Sequence, residues 1–322
     1  MDTRLRPIIT GAVSFVPILR DIQGRYRRKG TGGTVDPRYC YDTWMKHLIL
    51  LSHAGMKTPP HRLAELGPGD SLGVGLMAML CGSQHYRALD IIAHADQARN
   101  LIILEELIRL LRDHAIPMDS KFSNYKKIGW NPRFPEHIIS DEYLSQCLAA
   151  DRLDTIRAMV CGKPDPSGQM SLRYVTPWYG PDIVERESCD LIISHSVLEH
   201  VDDLHQTYSA MDQWLKPGGW MSHSLDYRCH GLSKSWNGYR DCPEWMWVLL
   251  RGRGFFSINR WPHSVHMKFL REMDYRVRYE YCDFQTEGSL PRSALAPRWQ
   301  NISDHDFYCS HAFIQCEKPS HI

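Results

Sequence analysis

Histidines and carboxylates that end strand-like segments are the first candidates for chemistry, because a ligand at a sheet edge meets them directly. His195 stands near the end of SCDLIISHSV (188–197), and WMSHSLD (220–226) brings His223 and Asp226, with His230 beyond them. An imidazole of ordinary pKa, about 6.5, accepts a proton near neutrality, so these residues suit general-base work on a hydroxyl. The expected base is Asp226 with His223, ahead of His195. On a regular strand residues 223 and 226 face opposite ways, so that pair requires the strand to have turned by LDY. His200 and His205 share no helical face and make no metal pair. Asp226 with His230 is the remaining candidate for a hard divalent ion; no metal centre is otherwise expected.

A second stretch, LAELGPGDSLGVGLMAML (63–80), poses a binding problem. An apolar run ends in an acid, a bare glycine turn follows, and a helix-like run begins. A turn between a parallel strand and its helix lies at the carboxyl edge of a sheet, where doubly wound folds bind ligands. Gly67 and Gly69 let a ligand approach the backbone, and the next helix is expected to direct free N–H groups there. Pro68, Asp70 and the absence of a following lysine disfavour a pyrophosphate, and Glu65 favours a cation or zwitterion.

The elements needed to position these residues alternate between strand and helix. RLAELG, HYRALDII, SLRYVT, SCDLIISHSV and WMSHSLD read as strands. SLGVGLMAMLCG, ADQARNLIILEELIRLLRDHA and LEHVDDLHQTYSAMDQWL read as helices, the last stopped by KPGG. YRVRYEYCD and FYCSHAFIQCEK follow one another without a helix between them and should pair antiparallel. The class is therefore α/β, doubly wound and Rossmann-like. Two stretches break the alternation, residues 115–170 and 227–262, and are read as inserted lid elements. Residues 1–60 are read as a helical N-terminal cap on a domain spanning 61–322.

Among 322 residues, 38 Lys and Arg balance 37 Asp and Glu, so no basic field points to nucleic acid. The partner expected is a small or neutral molecule. Ten cysteines are scattered with no C-x-x-C pair, which reads as free thiols in a cytoplasmic protein. PIITGAVSFVPIL (7–19) is too short to span a bilayer. It is expected to pack on the body, with peripheral membrane contact through the basic RYRRKG as the alternative.

The turn Glu65, Gly67, Gly69, Ser71 resembles the first motif of class I S-adenosylmethionine-dependent methyltransferases, with Ser71 at the third glycine. Asp90 at the end of the second strand, CDLIISHSVLEHV (189–201) and WLKPGGWMSHSLD (214–226) extend the likeness over roughly residues 60–316. It implies a seven-stranded sheet ending in an antiparallel strand, and S-adenosyl-L-methionine as cofactor. By position, Gly67, Pro68, Gly69 and Ser71 would hold the methionine moiety and Glu65 its ammonium. Asp90 would take the ribose hydroxyls. Thr176, Pro177 and Trp178 would flank the adenine, with Ser194 at the neighbouring strand end. Thr176 stands where the family often has an acid, so the usual adenine contact lacks its partner.

A narrower likeness joins TVDPRYCYDTWMKHL, ELGPGDSLGVGL, HSLDYRCH and INRWPHSVHMKFLREMDY to a bacterial methyltransferase family found with surface-glycan biosynthesis. It implies O-methylation of a sugar or glycan hydroxyl, with a natural-product oxygen or nitrogen as second choice. The aromatic SWNGYRDCPEWMW (235–247) would face the sugar, and Arg240, Arg251, Arg253 and Arg260 are candidates for a phosphate. A scaffold that kept the fold without the activity is the alternative of another class.

Overall fold

The computed structural model describes residues 5–15, 32–57, 59–119, 124–252 and 258–320. In chain order the main elements are α1 (Leu5–Val13), α2 (Pro37–Ala54), β1 (Arg62–Leu66), α3 (Gly73–Leu80), β2 (His85–Leu89) and α4 (Gln97–Arg112). They continue with α5 (Asp141–Cys147), α6 (Ala150–Val160), β3 (Ser171–Val175), β4 (Cys189–His195), α7 (Leu204–Trp214) and β5 (Leu215–Asp226). The last are α8 (Glu244–Arg251), α9 (His263–Glu272), β6 (Arg276–Phe284) and β7 (Cys309–Glu317). One seven-stranded sheet runs β3-β2-β1-β4-β5-β7-β6. Strands β1 to β5 pair parallel, and β7 pairs antiparallel with both β5 and β6. This is the sheet expected of a class I methyltransferase.

Local chemistry sets the element ends. Asp36 caps α2 by accepting the Arg38 N–H at 2.9 Å, Pro37 opens the helix, and Gly55 ends it at φ +111°. Asp96 caps α4 in the same way through the Arg99 N–H. LEH does not open a helix as expected. It forms one tight turn, Leu198–His200, and α7 begins afterwards under the Asp203 cap. Nor does KPGG stand outside the strand: β5 already starts at Leu215.

Two apolar layers cover the sheet. One face meets α2, α3, α4, α5 and α6 through residues such as Tyr41, Trp44, Met77, Leu107, Leu144 and Ile156. The other meets α7 and α9 through Tyr208, Trp214 and Leu270. So α2 is part of the core, not a cap outside it. Residues 141–160 are likewise a structural layer: Arg152 donates to the carbonyls of Met79 and Ser83 at 2.8 Å, behind α3. Cys229, Tyr239, Cys242, Trp247, Leu250 and Ile258 form a small core of their own. Helix α1 docks on it, with Ile8 in contact and Gly11 so close that a Cβ there would lie 2.0 Å from the Leu249 carbonyl. The RYRRKG stretch and Arg253 lie outside the described residues. Among those described, no helix is long and apolar enough to cross a membrane. All ten cysteines are free.

If α2 belongs to the core, truncating its fully buried Trp44 destabilises the whole domain. Trp44→Ala should lower the unfolding free energy by about 3–5 kcal/mol in urea titration, in one transition. A loss under about 1 kcal/mol would mean that α2 is a detachable cap.

Candidate functional site

The turn after β1 needs its glycines for a specific reason. Gly67 and Gly69 have φ of +63° and +75°, the left-handed region. The Gly67 N–H continues the ladder to the Leu89 carbonyl at 2.8 Å. A Cβ on Gly67 would stand 2.6 Å from Val197, the residue that closes the turn from β4. Asp90, 7% exposed, follows β2 beside this turn. Its Oδ1 accepts the Ile91 N–H at 2.7 Å, and the Gly69 N–H also supports the carboxylate. Burial nevertheless holds the Asp90 carboxyl above its usual range.

Several expected cofactor contacts are committed elsewhere. Glu65 lies buried beneath the turn, where the Tyr86 O–H donates to its Oε2. Desolvation pushes its carboxyl up to about 8, against the Tyr86 and Gly75 donors. Ser71 is fully buried. Its hydroxyl donates to the Thr34 carbonyl at 2.5 Å and accepts the Gly73 N–H at 3.1 Å. The first N–H groups around α3 are not free either: Ser71 N–H donates to Thr34 Oγ1 and Leu72 N–H to Asn100 Oδ1. Residues 34–40 crossing over the turn cover the first of these donors and α4 the second, and both remove the water those donors would otherwise use. Ser194 is fully buried against His223 Nδ1 at 2.8 Å, so its side chain faces the core. Thr176, Pro177 and Trp178 follow β3, with Trp178 edge-on to Trp214 at 5.5 Å and its N–H on the Asp90 carbonyl.

The expected His223–Asp226 pair does not form. Strand β5 continues through Asp226, so the two project to opposite faces. His223 is fully buried, edge-on to Tyr208, and desolvation pushes its imidazole down to about 3. It is a neutral core residue. Asp226 sits at the edge but is clasped by Arg228, whose Nε and Nη2 donate at 2.8 and 2.5 Å. His230 is not its metal partner; it draws together with Glu199 and His200, one donor atom of each lying within 4.8 Å of the others.

His195 ends β4 half-buried on the same edge. Its Nδ1 is 3.4 Å from Nε2 of His47, a buried residue of α2. His47 Nδ1 is 2.7 Å from Ser222 Oγ, which in turn accepts from Gln315. Burial, then the neighbouring His195 and His223, hold the His47 imidazole well below its usual range, so it is neutral. Tyr39 stands edge-on to His195 at 6.0 Å, its phenol pushed up to about 12 mainly by burial, with Glu199 and Asp226 adding to it. Glu199 is buried, accepts the Asp226 N–H through Oε1, and has no partner for Oε2. Burial raises its carboxyl well above the usual range, which favours the protonated form. Ser196, just past His195, and His230 take left-handed φ of +56° and +47°, costly for residues with a Cβ.

Sequence reasoning missed Tyr39, His47, Glu199 and Arg228. All four lie inside motifs quoted above without being given a role, and Tyr39 and His47 reach the edge only through the packing of α2. Three of the four arginines expected to meet a phosphate, those within the described residues, have partners within the chain. Arg240 is fully buried and donates to the Asp306 carbonyl; Arg260 lies 4.4 Å from the Trp247 ring and binds Glu244; Arg251 pairs with Asp202. Trp236 and Trp247 are buried, and Trp245 is exposed.

A family model described as a methyltransferase domain matches residues 181–222. No curated protein matches the chain. Similar solved structures include an S-adenosylmethionine-dependent methyltransferase from Mesorhizobium loti, 13% identical, covering 84% of this chain and 96% of that one, with a TM-score of 0.40. Another is from Methanosarcina mazei, 9% identical, covering 84% and 98%, with a TM-score of 0.41. A third is phosphoethanolamine N-methyltransferase 2 of Haemonchus contortus in complex with S-adenosyl-L-methionine, 14% identical, covering 94% and 60%, with a TM-score of 0.42.

The bare left-handed turn and the carboxylate beside it fit S-adenosylmethionine. Asp90→Asn keeps the shape but halves the acceptor capacity for two ribose hydroxyls, and should weaken S-adenosylhomocysteine binding about tenfold or more in a competition assay. Unchanged affinity would remove Asp90 from the site. Glu65 makes a separate prediction. Its folded-state pKa, about 8, exceeds the ordinary 4.5. The folded chain therefore holds the extra proton, and the stability this gives is complete below pH 4.5 and lost as pH rises to 8. Glu65→Gln should abolish that decline, gaining on the order of 2–4 kcal/mol over the parent between pH 5 and 8 in denaturant titrations. Parallel stability profiles for the two proteins would contradict it.

Proposed function

We propose that this chain, built on the class I S-adenosylmethionine-dependent methyltransferase fold, transfers the methyl group to a hydroxyl of a sugar or glycan intermediate. The observation that carries the reading is the meeting of distant stretches at one edge. Tyr39 from residues 34–48, Asp226 and Arg228 from β5 and its loop, and Asn259 from the INRWPH stretch all gather around His195 and Glu199. Asn259 makes this junction rigid: its side chain donates to the carbonyls of Leu198 and Val201 at 2.7 and 2.9 Å, and its N–H to the Glu199 carbonyl. These are the stretches that resemble the glycan-associated family, and three of them reach the site from outside the glycine motif.

When bound, S-adenosylmethionine supplies a methyl already activated on its sulfonium. The chain's own residues must then align the acceptor and take its proton. His195 is the base in this reading, in place of His223 and Asp226. Neutral His47 accepts from His195 Nδ1 and is itself held by Ser222, so a proton from the acceptor goes to His195 Nε2. That tautomer is assigned from the hydrogen-bond chain. Asp226 and Arg228 contribute a fixed ion pair that can orient hydroxyls. Tyr39, protonated across the working range, is a donor.

His195→Ala should lower turnover by about 10²-fold or more while S-adenosylhomocysteine affinity changes less than about twofold. Full turnover in His195→Ala would dismiss it as the base. The acceptor class is tested by incubating the enzyme and methyl-labelled S-adenosylmethionine with sugar nucleotides, glycolipids and oligosaccharides. Label on a sugar oxygen supports the reading, and label only on protein, RNA or a natural-product amine overturns it.

A further inference from the structure

A second cluster of chemically capable side chains lies beside the methyl-transfer edge and takes no part in it. His263 opens α9 and is 2% exposed. Its Nδ1 meets the Tyr227 hydroxyl at 3.2 Å, and its Nε2 points to Glu280 at 2.7 Å. Cys282 lies half-buried on β6, and Cys309, 1% exposed, begins β7. One donor atom from each of His263, Cys282 and Cys309 lies within 4.8 Å of the other two. Glu280, Cys282 and His305 form a second such group, which shares Cys282 with the first.

We infer that His263, Cys282 and Cys309 bind a zinc ion, with His305 or Glu280 completing four ligands. The donor set decides the metal. Two thiolates with one or two imidazoles are borderline-soft ligands, which suit zinc and exclude calcium and magnesium. The geometry is prepared in the manner of a metal-bound histidine. The Tyr227 hydroxyl holds Nδ1, which orients the ring and leaves Nε2, now 2.7 Å from Glu280, as the nitrogen available to the metal. A register irregularity between Asp283 and Phe284 sets Cys309 opposite Phe284, so the two cysteines do not face each other as a strand pair. Metal binding releases the thiol protons, and the ion replaces the hydrogen bonds that now link the sulfurs and His263.

The place of the cluster gives the ion a structural role. It would pin α9 and the short helix Asp304–Tyr308, which carries His305, to the ends of β6 and β7, and Tyr227 adjoins Asp226. The wall of the acceptor site is then braced by a site of its own. The inference does not depend on the methyl-transfer reading, since its readout is metal content.

The reduced full-length protein, dialysed free of loose metal, should carry about one zinc per chain by elemental mass spectrometry. Cobalt(II) loaded in its place should show thiolate-to-cobalt charge-transfer absorption. Cys282→Ser and His263→Gln should each lose most of the zinc and all or part of that absorption. Cys282 is half-buried and its serine variant is expected to fold, which circular dichroism checks. Folded, reduced protein that takes up neither zinc nor cobalt would overturn the inference. So would a Cys282→Ser variant that keeps a full equivalent, or a Cys282–Cys309 disulfide in the protein as isolated.

Discussion

A polar group buried without a partner costs on the order of 1–3 kcal/mol, and the centre of this sheet buries many of them. Glu65, Ser194, Ser222, His223, Ser224, His311 and Gln315 are all 4% exposed or less. Each therefore needs a partner from a neighbouring strand or from the helix packed above it. Tyr86 meets Glu65, Ser194 meets His223, and Ser224 meets His311. Ser222 and Gln315 turn to His47 of α2. That last link fixes where α2 crosses the sheet. It also brings Thr34 and Tyr39, at the start of α2, over the glycine turn and the end of β4.

The same requirement sorts the histidines into roles. His223 faces Ser194 inside the second layer, so desolvation keeps it neutral and away from any acceptor. His47 is neutral for the same reason, but it faces His195 and can hold its tautomer. His195 stands at the strand end, where one ring nitrogen is anchored in the core and the ring reaches the edge. Core pairing and edge chemistry are thus parts of one hydrogen-bond chain, from Gln315 to His195.

The succession of strands and helices was legible because it rests on local signals. Alternating apolar runs, a helix of strict period at 97–112 and turn glycines mark each element without reference to the others. The glycine motif and Asp90 were legible for the same reason, being tied to the strand ends that precede them. Side-chain direction was not. Whether β5 had turned by Asp226 depends on its antiparallel pairing with β7, about ninety residues later. The reach of Tyr39 and His47 depends on α2 packing into the core, where the sequence was read as a cap. Arg240 and Arg260 looked like ligand-binding arginines because their partners, Asp306 and Trp247 among them, lie on other segments. The His263, Cys282 and Cys309 cluster is assembled by the hairpin of β6 and β7, and no short motif announces it.

The central claim is that the turn after β1 and the carboxylate after β2 form a site for S-adenosylmethionine. Titration calorimetry of the folded wild-type chain with S-adenosylhomocysteine tests it most directly. The account predicts saturable binding of about one equivalent, displaced by S-adenosylmethionine and not by adenosine triphosphate. Absence of heat and of competition in protein shown to be folded would contradict it.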